Sequence, residues 1–188
     1  MTDGAIQAKE PQLKATEIER KFLVRDDSWR HCADNGQVLQ QAYLSQRNQS
    51  CVRVRLIDGH CGYLTIKFPM SRLAKEEYEY EIPVGEARDL LLAAGHILEK
   101  TRYRVLHDDR HWQVDVFAEP YEGLTLAEIE MASEDDRFTL PQWLGREVTG
   151  NNRYSNRAMA AASRVSAIAQ GATGRDPTRL RWSNRHPD

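Results

Sequence analysis

The 188-residue sequence contains only three cysteines, Cys32, Cys51 and Cys61, and no CxxC pair. An odd, scattered set of cysteines is typical neither of a disulfide framework nor of a zinc site, and it favours a reducing compartment. No apolar run approaches the roughly 20 residues that a membrane-spanning helix needs. The N-terminal residues also lack the basic and apolar segments of a secretory signal. These absences predict a cytoplasmic protein without membrane association.

The chain also has no large excess of positive or negative charge. The chain has 26 basic and 28 acidic side chains and a formal net charge of −2, so the total gives no reason to expect a nucleic-acid partner. The phosphate-binding sequence GxxxxGKS/T is also absent, which excludes a P-loop nucleotide-binding enzyme. Any function that depends on charge must therefore arise from the order of the charged residues.

Composition along the chain predicts one folded domain over residues 16–169. Residues 1–15 are polar, lack a hydrophobic pattern and include Pro11, so we predict a flexible N-terminal extension. Residues 170–188 are rich in Gly, Pro and Arg, which predicts a disordered C-terminal tail. The sequence between them has no repeat and no internal linker.

Alternation between apolar and charged residues dominates this domain and predicts β-strands. The alternating segments are residues 17–24, 52–56, 64–68, 77–82, 100–105, 112–117 and 126–131, with a further strand expected around 40–44. Helical spacing of apolar residues predicts helices over 85–94, 152–169 and, more weakly, 27–33. Strands that follow one another with few helices between them predict an antiparallel α+β fold.

Each predicted strand has one apolar face and one charged face, because successive side chains point to opposite sides. A charged face on an antiparallel sheet is usually just solvated. Here, however, like charges stand together on strand after strand, although like-charged neighbours repel each other. The acidic positions are Glu17, Glu19, Glu77, Glu79, Glu81, Asp115, Glu128 and Glu130, and the basic ones are Lys21, Arg53, Arg55, Lys67, Lys100, Arg102 and Arg104. The repeated segregation favours ligand binding over a merely solvated face.

The two kinds of cluster suit the two parts of one ligand. Carboxylate oxygens are the ligands that Mg²⁺ and Mn²⁺ prefer. Arginine and lysine donate charge-assisted hydrogen bonds to phosphate oxygens. If both clusters line the inside of one curved sheet, the expected ligand is a polyphosphate with its metal ion. The apolar faces would then point outward, beneath the helices predicted at 85–94 and 152–169.

The first strand opens with Glu17-Ile18-Glu19-Arg20-Lys21, an ExExK motif. It is followed in order by Arg53-x-Arg55, Lys67, the acidic run at 77–81, residues 99–103, Asp115, the pair at 128 and 130, and the segments 147–149 and 154–156. This series, over about residues 16–163, resembles the CYTH family, the triphosphate tunnel metalloenzymes. The resemblance implies an eight-stranded antiparallel β-barrel with an open tunnel, a charged interior and helices packed outside. It also implies a triphosphate substrate and a requirement for Mg²⁺ or Mn²⁺.

The resemblance also implies roles for the charged residues. Phosphate binding is expected from Arg53, Arg55, Lys67, Lys100 and Arg102. Metal binding is expected from Glu17, Glu19, Asp115, Glu128 and Glu130, with Glu77 and Glu79 orienting basic residues or metal-bound waters. The segment Gln41-Ala42-Tyr43-Leu44 is similar to small bacterial inorganic triphosphatases, in which a tyrosine pairs with the lysine of the motif. Lys21 and Tyr43 are therefore a candidate catalytic dyad, although Lys21 could equally be a further phosphate contact.

The leading functional hypothesis is metal-dependent hydrolysis of inorganic triphosphate to phosphate and diphosphate. The inward positions show many basic groups and no evident aromatic side chain for stacking a base or a thiazole ring. The alternatives are hydrolysis of an organic triphosphate, such as thiamine triphosphate or a nucleoside triphosphate, and cyclisation of ATP by a class IV-type adenylate cyclase. A non-catalytic polyphosphate-binding module is a further alternative. The expected partner is a small-molecule triphosphate, without nucleic acid or membrane, and a homodimer is left open.

Overall fold

The computed structural model describes residues 15–47, 50–71 and 74–162. The predicted C-terminal tail, and the N-terminal extension except for Ala15, lie outside the described residues. None of the helices in the described ranges is both long and apolar enough to cross a membrane.

The described residues form nine strands, and every predicted strand is confirmed. Their bounds are β1 Ala15–Val24, β2 Gln37–Arg47, β3 Ser50–Ile57, β4 Cys61–Pro69, β5 Ala74–Ile82, β6 Leu98–His107, β7 Arg110–Phe117, β8 Thr125–Glu130 and β9 Leu144–Glu147. The sequence pattern did not predict β9, because a strand of 4 residues is too short to show alternation.

The described helical structure is limited. Helix α1 spans Val84–Ala94 and ends at Gly95, whose φ of 74° is the left-handed conformation of a helix C-cap. The weak helix predicted at 27–33 is a 3₁₀ helix at Asp27–Cys32. In place of a helix beginning at residue 152, a 3₁₀ turn occupies Asn152–Tyr154, and helical residues follow at 156–162.

The strands close into a barrel. Hydrogen-bonded neighbours run in the order β5-β4-β3-β2-β6-β7-β8-β1, and an additional pairing of β1 with β5 joins the two ends of this series. All of these pairings are antiparallel, which confirms the predicted eight-stranded barrel. The ninth strand, β9, lies outside the closed ring and pairs with β1 near Phe22 and Val24.

Apolar side chains on the outer face of the barrel are covered by two different parts of the chain. Over β2 and β3, the buried residues Ala42, Val54 and Leu56 pack against Ala87 and Leu91 of α1. Around β1, β7 and β8, a second cluster joins outward-facing residues to the segment that leads into β9, with members Phe22, Trp112, Val114, Ile129, Trp143 and Leu144. These parts of the outer face are therefore covered, and the charged faces point inward.

The C-terminal residues pack differently from the predicted outer cover. Leu98, Phe117 and Leu126 have the same inward phase on their strands as the charged residues two positions away. Tyr154 and Met159 pack against these inward-facing residues. The described part of the second predicted helix therefore helps to fill one end of the barrel interior.

Candidate active site

The inner faces of the strands enclose a cavity of about 620 Å³. Its lining includes all of the predicted site residues except Lys100 and Asp115, and these lining residues come from seven strands. The predicted residues that line it are Glu17, Glu19, Lys21, Tyr43, Arg53, Arg55, Lys67, Glu77, Glu79, Arg102, Glu128 and Glu130. The charged residues of the predicted strands thus form one concave, charged surface.

Strand register explains which of these residues meet. Lys21 lies directly opposite Glu128 on β8, and Glu19 lies opposite Glu130. On the other side of the barrel, Arg53 on β3 lies opposite Tyr43 on β2. Since each pair has the same inward phase, the register places Lys21 beside an acidic partner, Glu19 beside a second carboxylate and Arg53 beside the Tyr43 ring.

A buried ion-pair network forms the floor of the cavity. Lys100 and Asp115 form an ion pair in which both side chains are fully buried, 0% exposed. Arg102 donates two hydrogen bonds to Asp115, from Nε to Oδ1 at 2.7 Å and from a terminal nitrogen to Oδ2 at 2.7 Å. The same guanidinium lies 2.9 Å from Glu128 Oε2, and Lys21 Nζ lies 2.7 Å from Glu128 Oε1. Alternating charges therefore run from Lys100 to Lys21.

The electrostatics of this network follow from burial. Burial raises the pKa of Asp115, but the charges of Arg102 and Lys100 outweigh burial and lower that pKa below its ordinary value. Burial and the neighbouring Arg102 lower the pKa of Lys100 to about 7, although Asp115 opposes the shift. Both Asp115 oxygens are engaged by Lys100 and Arg102, so this carboxylate holds two cations in place.

A second network lies nearer the mouth. Lys67 Nζ is 2.6 Å from Glu17 Oε2 and 2.7 Å from Glu77 Oε2. Arg53 is 3.3 Å from Glu79 Oε2, and the Thr65 hydroxyl donates to that same oxygen at 2.7 Å. Glu77 and Glu79 therefore orient Lys67 and Arg53, the kind of role that the sequence analysis gave them.

Arg55 differs from the cations around it. It forms no ion pair with any residue that the structure describes, and its buried Nε has no hydrogen-bond partner there. Burial and the charges of Arg53 and Arg102 lower its pKa, yet a guanidinium remains protonated in proteins. The cavity therefore holds a half-buried positive charge that no carboxylate among the described residues contacts directly.

Gln41 lies directly opposite Arg55 on β2 and is 0% exposed. Neither its amide nitrogen nor its amide oxygen has a hydrogen-bond partner among the described residues. A carboxylate at this position would neutralise Arg55, whereas the uncharged amide leaves Arg55 available to an anion.

Replacing Gln41 with methionine is expected to raise the free energy of unfolding by about 1 kcal/mol, because an unsatisfied buried amide costs about 1–3 kcal/mol. Urea denaturation measures this change. The matched control is Gln40→Met on the same strand. Gln40 donates a 2.8 Å hydrogen bond to Glu99, so this variant should be less stable than the wild type. If both variants lose stability equally, a buried water must satisfy the Gln41 amide.

The candidate dyad residues lie in the same cavity, but no hydrogen bond joins them among the described contacts. Burial raises the pKa of Tyr43 to about 12. Burial lowers the pKa of Lys21, but the charges of Glu128 and Glu19 outweigh it and raise that pKa above its ordinary value. Lys21 therefore holds its proton in this arrangement, and the dyad stays a prediction.

Carboxylates on β1 and β8 are the predicted ligands of a divalent cation. Glu19 lies opposite Glu130 on the neighbouring strand, an arrangement in which like charges repel. Burial and the charge of Glu17 raise the pKa of Glu130, with a smaller contribution from Glu19. The described residues contain no ready-made group of three Asp, Glu, His or Cys side chains that could hold a metal. Neighbouring carboxylate oxygens are nevertheless the type of donor that fits Mg²⁺ or Mn²⁺.

Several lining residues were missed by the sequence analysis. Gln113 donates to Glu130 Oε1 at 3.2 Å and accepts from Arg102, and Asn156 accepts from Lys100 Nζ at 3.4 Å. Lys75 and Arg157 also line the cavity. The inward phase of Gln113 and Lys75 was readable from Asp115 and Glu77 two positions away, whereas residues 149–157 follow no alternation.

Comparison with known proteins places the chain in a family: it belongs to the CYTH domain family, whose model matches residues 15–161. An inorganic triphosphatase of Acetivibrio thermocellus is 43% identical over 142 residues, which cover 74% of this chain and 90% of that protein. An inorganic triphosphatase of Nitrosomonas europaea is 38% identical over 151 residues, or 77% of this chain and 97% of that protein. The solved structure of the inorganic triphosphatase NE1496 matches with a TM-score of 0.56 and 36% identity, over 78% of this chain and 95% of that one.

Proposed function

We propose that this protein hydrolyses inorganic triphosphate to phosphate and diphosphate inside the barrel, with Mg²⁺ or Mn²⁺ as its cofactor. The observation that carries the proposal is Arg55, a half-buried arginine that lines the polar cavity, whose buried Nε has no hydrogen-bond partner and which forms no ion pair among the described residues. A buried unpaired charge is costly unless a ligand compensates it. The ligand must therefore be an anion, and the inorganic triphosphatases to which the chain is similar support triphosphate.

Phosphate binding is assigned to four cations that line the cavity and one that lies below it. Arg53, Arg55, Lys67 and Arg102 face the cavity, where guanidinium and ammonium groups can donate to phosphate oxygens. Lys100 contributes its charge from the floor, where it and Arg102 share Asp115. Hydrolysis of a phosphoanhydride depends mainly on such positioning and charge stabilisation.

Metal binding is assigned to Glu17, Glu19, Glu128 and Glu130, the carboxylates of β1 and β8 that line the cavity. A bound divalent cation would supply positive charge that neutralises the phosphate oxygens. Asp115 was also a predicted metal ligand, but both of its oxygens already accept hydrogen bonds from Lys100 and Arg102. We therefore assign Asp115 the role of orienting those two cations.

Lys21 is proposed as a charged phosphate contact. Because its neighbours Glu128 and Glu19 hold its pKa above the ordinary value, it donates a hydrogen bond more readily than it accepts a proton. Tyr43, whose pKa burial raises to about 12, stays neutral and can donate its hydroxyl proton to a phosphate oxygen.

Removal of the metal is the first test of this function. Phosphate release from inorganic triphosphate is expected with Mg²⁺ or Mn²⁺ and should fall about 100-fold or more in EDTA, because a bound cation stabilises the charge that develops on the phosphate oxygens. Release should return when excess metal is added back. Undiminished release in EDTA would contradict the metal requirement, and no release under any condition would contradict the proposed function.

A further inference from the structure

Lys75 is the most exposed of the ion-paired cations that line the described cavity. Its side chain is 38% exposed, compared with 19% for Arg102 and 15% for Lys67. It lies on β5 directly opposite Glu17 on β1, at the pairing that closes the barrel. Lys75 therefore occupies the seam of the barrel beside solvent.

The ammonium of Lys75 touches the carboxylates of the Glu-Ile-Glu segment. Lys75 Nζ lies 2.7 Å from Glu19 Oε1 and 4.0 Å from Glu17 Oε2. A lysine ammonium in contact with two carboxylates is positively charged at neutral pH. A single protonated side chain thus partly neutralises two of the carboxylates assigned to the metal.

We propose that Lys75 is a tethered counter-ion that competes with the divalent cation for Glu17 and Glu19 and so sets the metal affinity of the site. This inference rests on the proposed function, which assigns those carboxylates to the metal. When a divalent cation binds, Lys75 releases Glu19 and turns toward solvent. The metal concentration at which the enzyme is half-saturated therefore depends on a residue that is not itself a ligand.

Lys67 cannot act in the same way, although it also contacts Glu17. Its ammonium is held by Glu77 as well, at 2.7 Å, and only 15% of its side chain is exposed. Lys67 therefore keeps a carboxylate partner when Glu17 is taken. The described contacts of Lys75, by contrast, go only to Glu17 and Glu19, and its exposure lets it leave.

Calorimetric titration of Mn²⁺ into the full-length protein tests the inference. Lys75→Met keeps the aliphatic length and removes the charge, and it is expected to bind Mn²⁺ about tenfold more tightly than the wild type, because a competing charge is lost at short range. Lys75→Arg keeps the charge and should bind Mn²⁺ like the wild type. Arg88→Met on α1 removes a charge outside the barrel, where Arg88 donates to the Gly59 carbonyl at 3.2 Å, and should also be unchanged.

Unchanged or weaker Mn²⁺ binding in Lys75→Met would overturn the inference. Unchanged binding would mean that Lys75 has no effect on metal affinity, and weaker binding would mean that it helps to orient the ligands. A tightening of equal size in Arg88→Met would also overturn it, because the effect would then come from net charge. Circular dichroism checks that each variant is folded.

Phosphate release from triphosphate separates this inference from the proposed function. If the wild type releases phosphate in a metal-dependent way and Lys75→Met binds Mn²⁺ like the wild type, only the role of Lys75 is wrong. If the wild type releases no phosphate with metal present, the proposed function is wrong. If neither the wild type nor Lys75→Met binds Mn²⁺, the counter-ion role is wrong whatever the activity.

Discussion

Replacing Asp115 with asparagine is expected to lower the free energy of unfolding by about 3–5 kcal/mol, as measured by guanidinium chloride denaturation. Asp115 is 0% exposed and accepts hydrogen bonds from both Lys100 and Arg102. The variant keeps the shape of the side chain but removes the carboxylate that helps to keep the buried Lys100 charged, so folding must either leave that cation unpaired or remove its proton. The uncompensated charge, rather than lost packing, causes the loss of stability.

Two further variants isolate that cause. Asp115→Asn combined with Lys100→Met should recover part of the lost stability, because the double variant removes the stranded charge. Asp136→Asn breaks the half-buried, two-fold contact between Asp136 and Arg110, with distances of 2.8 and 2.6 Å, and should cost less than Asp115→Asn, since the pair of Asp115 with Lys100 is fully buried. A loss below about 1 kcal/mol for Asp115→Asn would contradict the importance of the buried network.

Replacing Glu128 with glutamine is expected to lower kcat/KM for triphosphate by about 100- to 1,000-fold. The two Glu128 oxygens lie 2.7 Å from Lys21 and 2.9 Å from Arg102, and the side chain is 9% exposed. Glutamine has nearly the same shape but no negative charge. The variant therefore weakens the placement of two proposed phosphate contacts and removes one proposed metal ligand, while Arg102 remains bound to Asp115.

The matched control for Glu128→Gln is Glu81→Gln. Glu81 continues the alternation of Glu77 and Glu79 on β5, but it is exposed and does not line the cavity. Steady-state kinetics should therefore show nearly wild-type values for Glu81→Gln. Activity of Glu128→Gln within tenfold of the wild type, in a folded protein, would show that this carboxylate belongs to neither the metal site nor the phosphate site.

Alternation in the sequence was enough to predict which side chains share a face of each strand, whereas the barrel that they line was implied by the family resemblance. Because strand side chains change faces at every residue, the segment with Arg53 and Arg55 had to present both arginines to one side and Val54 to the other. Burial of Val54 beneath α1 and the position of both arginines in the cavity confirm this reasoning. The comparisons confirm the predicted family and its triphosphatase relatives, and the closed ring of strands confirms the predicted barrel.

How deeply each charged side chain is buried, and which residue it contacts, could not be predicted from that pattern. Lys100 and Arg102 look equivalent in the sequence, yet Lys100 is fully buried with Asp115 while Arg102 reaches the cavity. The difference depends on register and on the apolar residues at one end of the barrel, which are long-range features. The contribution of residues 149–157 to the lining was also hidden, since this segment combines a turn, a 3₁₀ helix and the start of a helix, and none of these shows the two-residue alternation of a strand.

The most direct test of the central claim is a ³¹P NMR time course with equal concentrations of inorganic triphosphate, ATP and thiamine triphosphate in the presence of Mg²⁺. The cavity is lined by cations and carboxylates, and Arg55 has no carboxylate partner among the described residues. We therefore expect inorganic triphosphate to disappear first, with phosphate and diphosphate as products. Faster loss of ATP or thiamine triphosphate, or no loss of any of the three, would contradict the proposed function.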